Sequence, residues 1–454
     1  MPISKLIWNM SLPIIASMLV QALYNIVDSV FVSRVSEQAL TAVSLAFPAQ
    51  NLMIGLATGT AVGVNALMGR ALGAGQRERA DKVANHGILL ALVGFVISAL
   101  LGATCSDLFF RSQTQIENII RMGNDYLRVV TIGSLGMFCQ IMYERLLQGT
   151  GRSILSMYTQ GLGAIINIIL DPIFIFGFRW GMMGAAVATV IGQLVTAALA
   201  VWYLLHMKII RPEKGDYRLK GSICGRTLTL GMTSFLSQIS LVAAMAAINN
   251  MIRKYGALDA VFGQEQYAQI PMAVVGIVMK FFQIVISIVV GMAAGCIPVV
   301  GFNMGAKKPT RVKELFTKLL LAEAAVGAVA LVLVELLPRQ LIALFGSANE
   351  SVYYTDFAVK SFRIYLCMII LACVNKACFI FLQAMGKAAE STALSMVREV
   401  VFGVGFALLL PVYFGLDGVL YSMPVSDVLT FLIAAVLILR TYRWLGQDVP
   451  SQLE

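Results

Sequence analysis

LPIIASMLVQALYNIVDSVFV, residues 12–32, is the stretch that decides the fold class. Apart from Gln21, Asn25 and Asp28 it consists of apolar, aromatic and small residues, and about 20 such residues cross the hydrocarbon core of a bilayer as one α-helix. A carboxylate in that setting costs about 2.5–3.5 kcal/mol even on the most lenient insertion scale, so a spanning helix keeps one for a task or a partner. Asp171 lies in a second apolar run. The two aspartates are therefore the first candidate functional residues.

The composition as a whole is typical of a membrane protein. Of the 454 residues, 59% are hydrophobic and only 13% are charged, whereas soluble domains carry roughly 25% charged residues. The apolar runs are about 20 residues long, which suits spanning helices and exceeds the roughly 10-residue strands of membrane barrels. We therefore predict an all-α polytopic membrane protein.

Cysteine, histidine and charge patterns argue against several other classes of protein. The 7 cysteines are scattered without paired spacing, which disfavours a disulfide framework or a metal cage. With 2 histidines and no nucleophile–base set, we expect no enzyme, no cofactor and no metal centre. The net charge of +10 lies largely in short loops between apolar runs, which indicates basic cytoplasmic loops rather than a nucleic-acid partner.

Apolar windows predict twelve membrane-spanning helices. Alternate connections, counted from the N-terminus, are richer in lysine and arginine, and this bias places both termini in the cytoplasm. The predicted spans lie near residues 10–33, 44–68, 85–108, 126–148, 156–178, 183–206, 228–252, 269–297, 316–345, 360–383, 393–414 and 417–439.

The two halves of the chain repeat one another. We predict an N-terminal six-helix lobe at 1–206, a cytoplasmic linker at 207–226 and a C-terminal six-helix lobe at 227–454. Because six is an even number, both lobes enter the membrane in the same direction, as two parallel repeats with a central cleft. The pairs matched at nearly constant offset are Gly63 and Gly295, Gly69 and Gly301, Gly73 and Gly305, Gln148 and Gln383, and Gly184 and Gly418.

Polar side chains of the first half share helix faces. Gln21, Asn25 and Asp28 lie on one face of the first span by their spacing. Asn167 and Asp171 are four residues apart and also share a face. Each span thus presents its aspartate together with an amide.

These side chains also lie at a similar depth. Counted from the span ends at 1.5 Å per residue, Asp28, Asp171 and Thr189 lie roughly 8–10 Å below the outer boundary. Tyr126 is somewhat shallower. Two acids with a hydroxyl and an amide at one depth can form a site for Na⁺, H⁺ or a cationic ligand, with possible Na⁺ at Asp28 and Asp171. The alternative is that structural hydrogen bonds neutralise each acid.

The second half does not reproduce this set. Lys280, near mid-span, is a candidate partner for Asp427, and adjacent Arg398 and Glu399 are expected to snorkel or to pair between helices. Ion coupling is therefore predicted in the first half, with substrate contacts from both halves. The residues assigned to the substrate cleft are Gln21, Tyr24, Asn25, Lys280, Gln283 and Asn375.

Two prolines mark helices that are expected to bend. Pro13 in the first span and Pro172 in the fifth each remove a backbone N–H. The carbonyls that they free must be satisfied by other groups inside the membrane. We therefore predict helix bending at both positions.

Together these residues resemble the multidrug and toxic-compound extrusion (MATE) family, in its MepA-like bacterial branch, over the whole chain. The pieces that carry the resemblance are, in order, Pro13 with LYNIVD at 23–28, the turn at 69–75, LQGTGR at 147–152, NIILDP at 167–172, GAAVAT at 184–189 and GCIPVVGFNMGA at 295–306.

The resemblance implies an antiporter of the bacterial inner (plasma) membrane that expels cationic amphipathic compounds, including drugs, in exchange for inward Na⁺ or H⁺ by alternating access. Small-molecule cations and membrane lipid are the implied partners, and a monomer is expected. The family's first-half cation site falls on Asp28, Tyr126, Asn167, Asp171 and Thr189, and its bending proline falls on Pro13.

Three alternatives stay open. A flippase of lipid-linked oligosaccharide is expected to have a cationic cavity. Lys280 and Lys376 keep this alternative open, although acids dominate the first half. A membrane enzyme is disfavoured because no nucleophile–base set is present. A channel is disfavoured because two bending repeats suit alternating access better.

Overall fold

A computed structural model describes residues 1–206, 221–268, 270–345 and 351–446, and every regular element in these ranges is helical. The first eight helices are α1 (Ile3–Ser33), α2 (Glu37–Gly73), α3 (Arg77–Gln113), α4 (Glu117–Ile132), α5 (Leu135–Gly149), α6 (Ser153–Pro172), α7 (Met182–His206) and α8 (Gly221–Ala257). The next eight are α9 (Ile270–Gly305), α10 (Pro309–Leu336), α11 (Pro338–Phe345), α12 (Val352–Tyr365), α13 (Ile369–Ala384), α14 (Ala388–Met396), α15 (Gly405–Phe414) and α16 (Leu416–Leu445). A 3₁₀ turn covers Glu265–Tyr267, and π-helical segments cover Ile173–Gly177 and Val397–Val404.

The helices confirm the prediction of an all-α, multi-pass membrane protein. Within the described ranges, ten helical stretches are long and apolar enough to cross a bilayer, and α12 with α13 forms an eleventh that is bent by 46°. The predicted fourth span, 126–148, is not one continuous helix, because it is divided between α4 and α5. Where the structure describes them, the predicted apolar windows fall on helices, and three of them, 126–148, 316–345 and 360–383, are each divided between two helices.

The break between α4 and α5 has a local cause. The Ser134 hydroxyl donates to the Thr131 carbonyl at 2.6 Å, and the Thr131 hydroxyl donates to the Leu127 carbonyl at 2.8 Å. Side chains thus satisfy backbone carbonyls at the end of α4 and compete with continued helix. Gly133 adds a close approach to α7, since a Cβ there would lie 2.8 Å from the methyl carbons of Val190. An average of hydropathy does not detect such a break.

The chain forms two compact units, and α8 and α9 contribute to both. Unit 1 comprises Met1–Gln238, Ala294–Lys307 and Ala384–Ala388, and unit 2 comprises Ile239–Ala293, Lys308–Gln383 and Ala389–Glu454. Most of the predicted linker 207–226 falls on residues 207–220, which lie outside the described residues. The lobe boundaries at that linker therefore stay a prediction.

Unit 1 holds the two aspartates on helices that pack side by side. In this unit α1 contacts α6, and α6 contacts α7. Glycine lets these helices approach closely, since a Cβ on Gly163 of α6 would lie 1.7 Å from the Thr196 hydroxyl of α7. The packing fixes the positions of Asp28 on α1 and Asp171 on α6.

A second close approach in unit 1 joins α2 and α8, and it supports a stability prediction. A Cβ on Gly231 would lie 1.9 Å from the carbonyl oxygen of Gly59. Gly231→Ala is therefore expected to push the helices apart and to destabilise unit 1 by about 1–3 kcal/mol. The measurement is the thermal unfolding of the purified protein in detergent.

Gly225 provides the matched control on the same helix, because no atom lies within 4 Å of a Cβ built there. Gly225→Ala is expected to leave the melting temperature unchanged or slightly higher, since alanine favours the helix by up to about 1 kcal/mol. Equal melting temperatures for the two variants would show that the α2–α8 contact does not limit stability.

Candidate functional site

The carboxyl groups of Asp28 and Asp171 meet inside unit 1. They lie within hydrogen-bonding range of each other, although α1 and α6 are separated by more than a hundred residues of sequence. Two carboxylates in contact repel each other unless a proton or a cation lies between them. The pair is therefore a natural place to hold a single positive charge.

Among the described residues, no positive side chain forms an ion pair with either aspartate. Asp171 is fully buried, and neither of its oxygens receives a hydrogen bond from a donor in the described structure. One oxygen of Asp28 is likewise buried without a donor. A buried, uncompensated acid pair costs free energy, which binding of H⁺ or a metal cation relieves.

Tyrosines and a threonine complete the wall around the aspartates. Tyr24, one turn before Asp28 on α1, lies beside Thr189 on α7, whose hydroxyl donates to the Ala185 carbonyl at 3.0 Å. Tyr126 of α4 is buried, and its hydroxyl oxygen accepts a hydrogen bond from the Gln50 amide at 3.0 Å. Both tyrosines lie close enough to Asp28 to interact electrostatically with its carboxyl group. The site is thus lined by oxygen atoms, the ligands that hard cations prefer.

Asn167 lies one turn before Asp171 on α6. It is 3% exposed, its amide oxygen has no hydrogen-bond donor within the described residues, and it packs against Gly192 of α7. The structure therefore brings Asp28, Tyr126, Asn167, Asp171 and Thr189, the five residues of the predicted cation site, into one neighbourhood of unit 1. What each residue does there stays a prediction.

The other predicted polar residues of α1 lie on more accessible surface. Gln21 and Asn25 are exposed. The Gln21 amide oxygen accepts a hydrogen bond from the Gln160 amide of α6 at 3.1 Å. Their assignment to the substrate cleft stays a prediction.

The two prolines differ in their local structure. α1 continues through Pro13, whose carbonyl accepts a hydrogen bond from the Ser17 hydroxyl at 2.9 Å. Pro172 is the last residue of α6 and is followed by the π-helical segment Ile173–Gly177. Regular helix thus ends at Pro172, next to Asp171, whereas bending at Pro13 stays a prediction.

The polar residues predicted in the second half separate into two environments within unit 2. Asn375 and Gln283 line a cavity, whereas Lys280 is exposed and is not among the cavity-lining residues. Pairing of Lys280 with Asp427 is wrong, because the Arg398 guanidinium donates to the Asp427 carboxylate at 2.6 Å. The expectation that Arg398 pairs between helices is confirmed.

The sequence model of the MatE family matches residues 13–173 and 234–409, which is most of the chain. The chain belongs to the MatE family. Within the curated proteins, this MatE protein is 22% identical to the multidrug export protein MepA of Staphylococcus aureus, over 100% of this chain and 97% of the relative. It is 24% identical to an FAD transporter of Shewanella oneidensis, over 94% of this chain and 92% of the relative.

A solved structure shares the fold of this MatE protein. It is a MOP superfamily transporter from Pyrococcus furiosus, for which a binding pocket of reverse polarity is said to suggest a different function. The TM-score is 0.89 at 25% identity, and the match covers 98% of this chain and 97% of that one. The resemblance to the MATE family that the sequence motifs indicate is therefore confirmed, and the protein is a multi-pass membrane transporter of that family.

Sequence reasoning missed three polar residues of this MatE protein. Gln50 is linked to the acid site by the hydrogen bond that its amide donates to the Tyr126 hydroxyl. Glu144 of α5 is buried beside Thr159, whose hydroxyl donates to it at 3.4 Å. Glu323 of α10 is fully buried, and neither carboxyl oxygen has a hydrogen-bond donor in the described structure. Each lies in a predicted apolar span, so a search of every span for lone polar residues detects all three.

Proposed function

We propose that this MatE protein is a cation-coupled antiporter that exports cationic amphipathic compounds, with Asp28 and Asp171 as the coupling pair. The contact between these two buried carboxyl groups is the observation that carries the proposal. Since no described side chain pairs with them as a cation, an imported H⁺ or Na⁺ is the charge that they are built to accept. Tyr24, Tyr126 and Thr189 supply further oxygen atoms around that charge.

Coupling follows from competition for negative charge. A proton or Na⁺ on the pair removes the charge that attracts a cationic substrate, so the two bind in alternation. Substrate leaves toward the outside as the coupling cation binds, and the cation is released on the inside before new substrate binds. We propose that both termini face the cytoplasm, that the protein is a monomer and that it resides in the bacterial plasma membrane.

The available gradients suffice for this exchange. One charge moving down a potential of 100 mV releases about 2.3 kcal/mol, and one pH unit adds about 1.4 kcal/mol. Export of a monovalent cation against the same potential consumes the electrical part. One-for-one exchange therefore yields roughly tenfold accumulation per pH unit.

The names of the two relatives both support transport, one of them names export, and they differ in the compound. MepA is a multidrug export protein, and the Shewanella oneidensis relative is an FAD transporter. The acid pair favours positive charge, and an anion near it meets repulsion added to its own desolvation cost. We therefore propose cationic amphipaths as the compounds handled by unit 1.

Transport by the purified protein in proteoliposomes tests the proposal. With an imposed H⁺ or Na⁺ gradient we expect counter-directed movement of ethidium, at least about fivefold above vesicles without protein. An anionic dye of similar size, such as fluorescein, should stay at background. The two ion gradients are imposed separately so that the coupling ion is identified.

Vesicles that contain the Asp28→Asn/Asp171→Asn variant are the control. Ethidium movement that needs neither gradient, or that persists in this variant, would contradict cation-coupled antiport. Transport of a pyrophosphate-bearing lipid in place of ethidium would favour the flippase.

A further inference from the structure

The cavity of unit 2 is distinct from the acid pair of unit 1. Its walls come from α8, α9, α13 and α16, and from α12 and the π-helical segment Val397–Val404. Methionine and phenylalanine side chains, including Met279 and Phe282, form its apolar part. Flexible Met side chains and flat aromatic rings suit a ligand with an apolar ring system.

Four charged side chains line this cavity, two acidic and two basic. One acid and one base are paired, because Arg398 and Asp427 form a buried ion pair at 2.6 Å, with side chains 14% and 2% exposed. Lys376 and Glu399 are the other two. They are close enough to interact electrostatically, but within the described ranges neither charge is held in a direct ion pair.

Buried oxygen atoms that can accept hydrogen bonds add to this arrangement. The Asn375 amide nitrogen donates to the backbone carbonyl of Asp427 at 3.1 Å, so its oxygen is turned away from that bond. That oxygen and one carboxylate oxygen of Asp427 are buried without a hydrogen-bond donor in the described structure. Both residues line the cavity and are 1% exposed. These two oxygen atoms can therefore accept hydrogen bonds from a ligand.

We propose that the cavity of unit 2 binds a zwitterionic amphipath, with its anionic group at Lys376 and its cationic, hydrogen-bond-donating group at Glu399 and Asn375. A purely cationic ligand adds a further positive charge to the cavity that holds Lys376, and a purely anionic ligand adds a further negative charge to the cavity that holds Glu399. Only a ligand of both charges satisfies both side chains, and an unpaired buried charge is costly. The inference rests on the proposed export function only for its physiological meaning, because binding itself does not require the acid pair.

A pair of dyes that differ in one charge tests this inference. Rhodamine 110 carries a carboxylate and a cationic ring system, and rhodamine 123 is its methyl ester and lacks the carboxylate. We expect the purified full-length protein to bind rhodamine 110 about tenfold more tightly, the value of one hydrogen-bonded charge. Dye absorbance verifies the open zwitterion, because the closed lactone is colourless.

Substitutions separate the two charges. Lys376→Met should weaken rhodamine 110 about tenfold and leave rhodamine 123 unchanged, while Lys376→Arg should keep the preference. Glu399→Gln should weaken both dyes, because both carry the cation. Lys254→Met, at an exposed lysine of the same unit, is the matched control and should change neither. Equal binding of the two dyes by the wild type, or equal weakening of both by Lys376→Met, would overturn the inference.

Two further measurements separate this site from the acid pair and identify the source of the ligand. All titrations are repeated in the Asp28→Asn/Asp171→Asn background, where the preference for rhodamine 110 should persist even if the proposed coupling fails. A zwitterionic lipid headgroup has the same chemistry as a soluble zwitterion, so short-chain phosphatidylethanolamine is added as a competitor. Displacement of rhodamine 110 identifies a lipid as the source of the ligand, and its retention identifies a soluble compound.

Discussion

Asp171→Asn is expected to reduce gradient-driven ethidium transport to the level of vesicles without protein. The amide keeps the shape of the carboxyl group, but it neither titrates nor carries the charge that holds Na⁺. Asp171 is fully buried beside Asp28, so the substitution leaves the pair with a single carboxyl group. Transport is measured in proteoliposomes with matched amounts of protein.

Asp107 provides the control for a change of charge alone. It lies on α3 in an exposed ion pair with Arg111 at 2.9 Å, and such surface pairs contribute about 0–1 kcal/mol. Asp107→Asn should therefore transport like the wild type. Wild-type transport rates for a well-folded Asp171→Asn protein would remove Asp171 from the coupling mechanism.

Asp28 and Asp171 are expected to act as one unit in a double-mutant cycle. Asp28→Ala should also stop transport. In ethidium binding, each single substitution should weaken affinity about tenfold, and the double substitution should cost little more than either alone. Residues in direct contact show such coupling, whereas distant independent sites add.

Additive losses in this cycle would mean that the two acids serve separate sites. The measurement uses equilibrium binding because a variant without transport gives no rate to compare. Asp107→Asn combined with Asp171→Asn is the additive reference. Asp107 forms its exposed pair with Arg111 and no described contact with the acid pair.

The acid site was predictable because charge inside an apolar run is rare and costly. Asp28 and Asp171 are acidic residues within apolar spans, and counting residues from the span ends predicts that they lie at one depth. The structure places their carboxyl groups in contact. Depth alone, however, does not indicate which helices are neighbours, so the contact between α1 and α6 required the structure.

Other features depend on side-chain geometry that hydropathy does not encode. The break at Gly133 and Ser134 depends on hydroxyl–carbonyl hydrogen bonds. Pairing of Asp427 with Arg398 instead of Lys280 depends on which helix faces meet in unit 2. Helical spacing reports the faces of one helix, but the rotation of each helix toward its neighbours is a property of packing.

Ethidium affinity across pH and Na⁺ concentration is the measurement that tests the central claim most directly. Protonation or Na⁺ binding removes negative charge from the Asp28–Asp171 pair, so wild-type affinity should fall as pH falls, or as Na⁺ rises if Na⁺ is the coupling ion. The Asp28→Asn/Asp171→Asn variant should bind weakly and show neither dependence. A wild-type affinity that is indifferent to both ions, or a variant that keeps the dependence, would contradict the account.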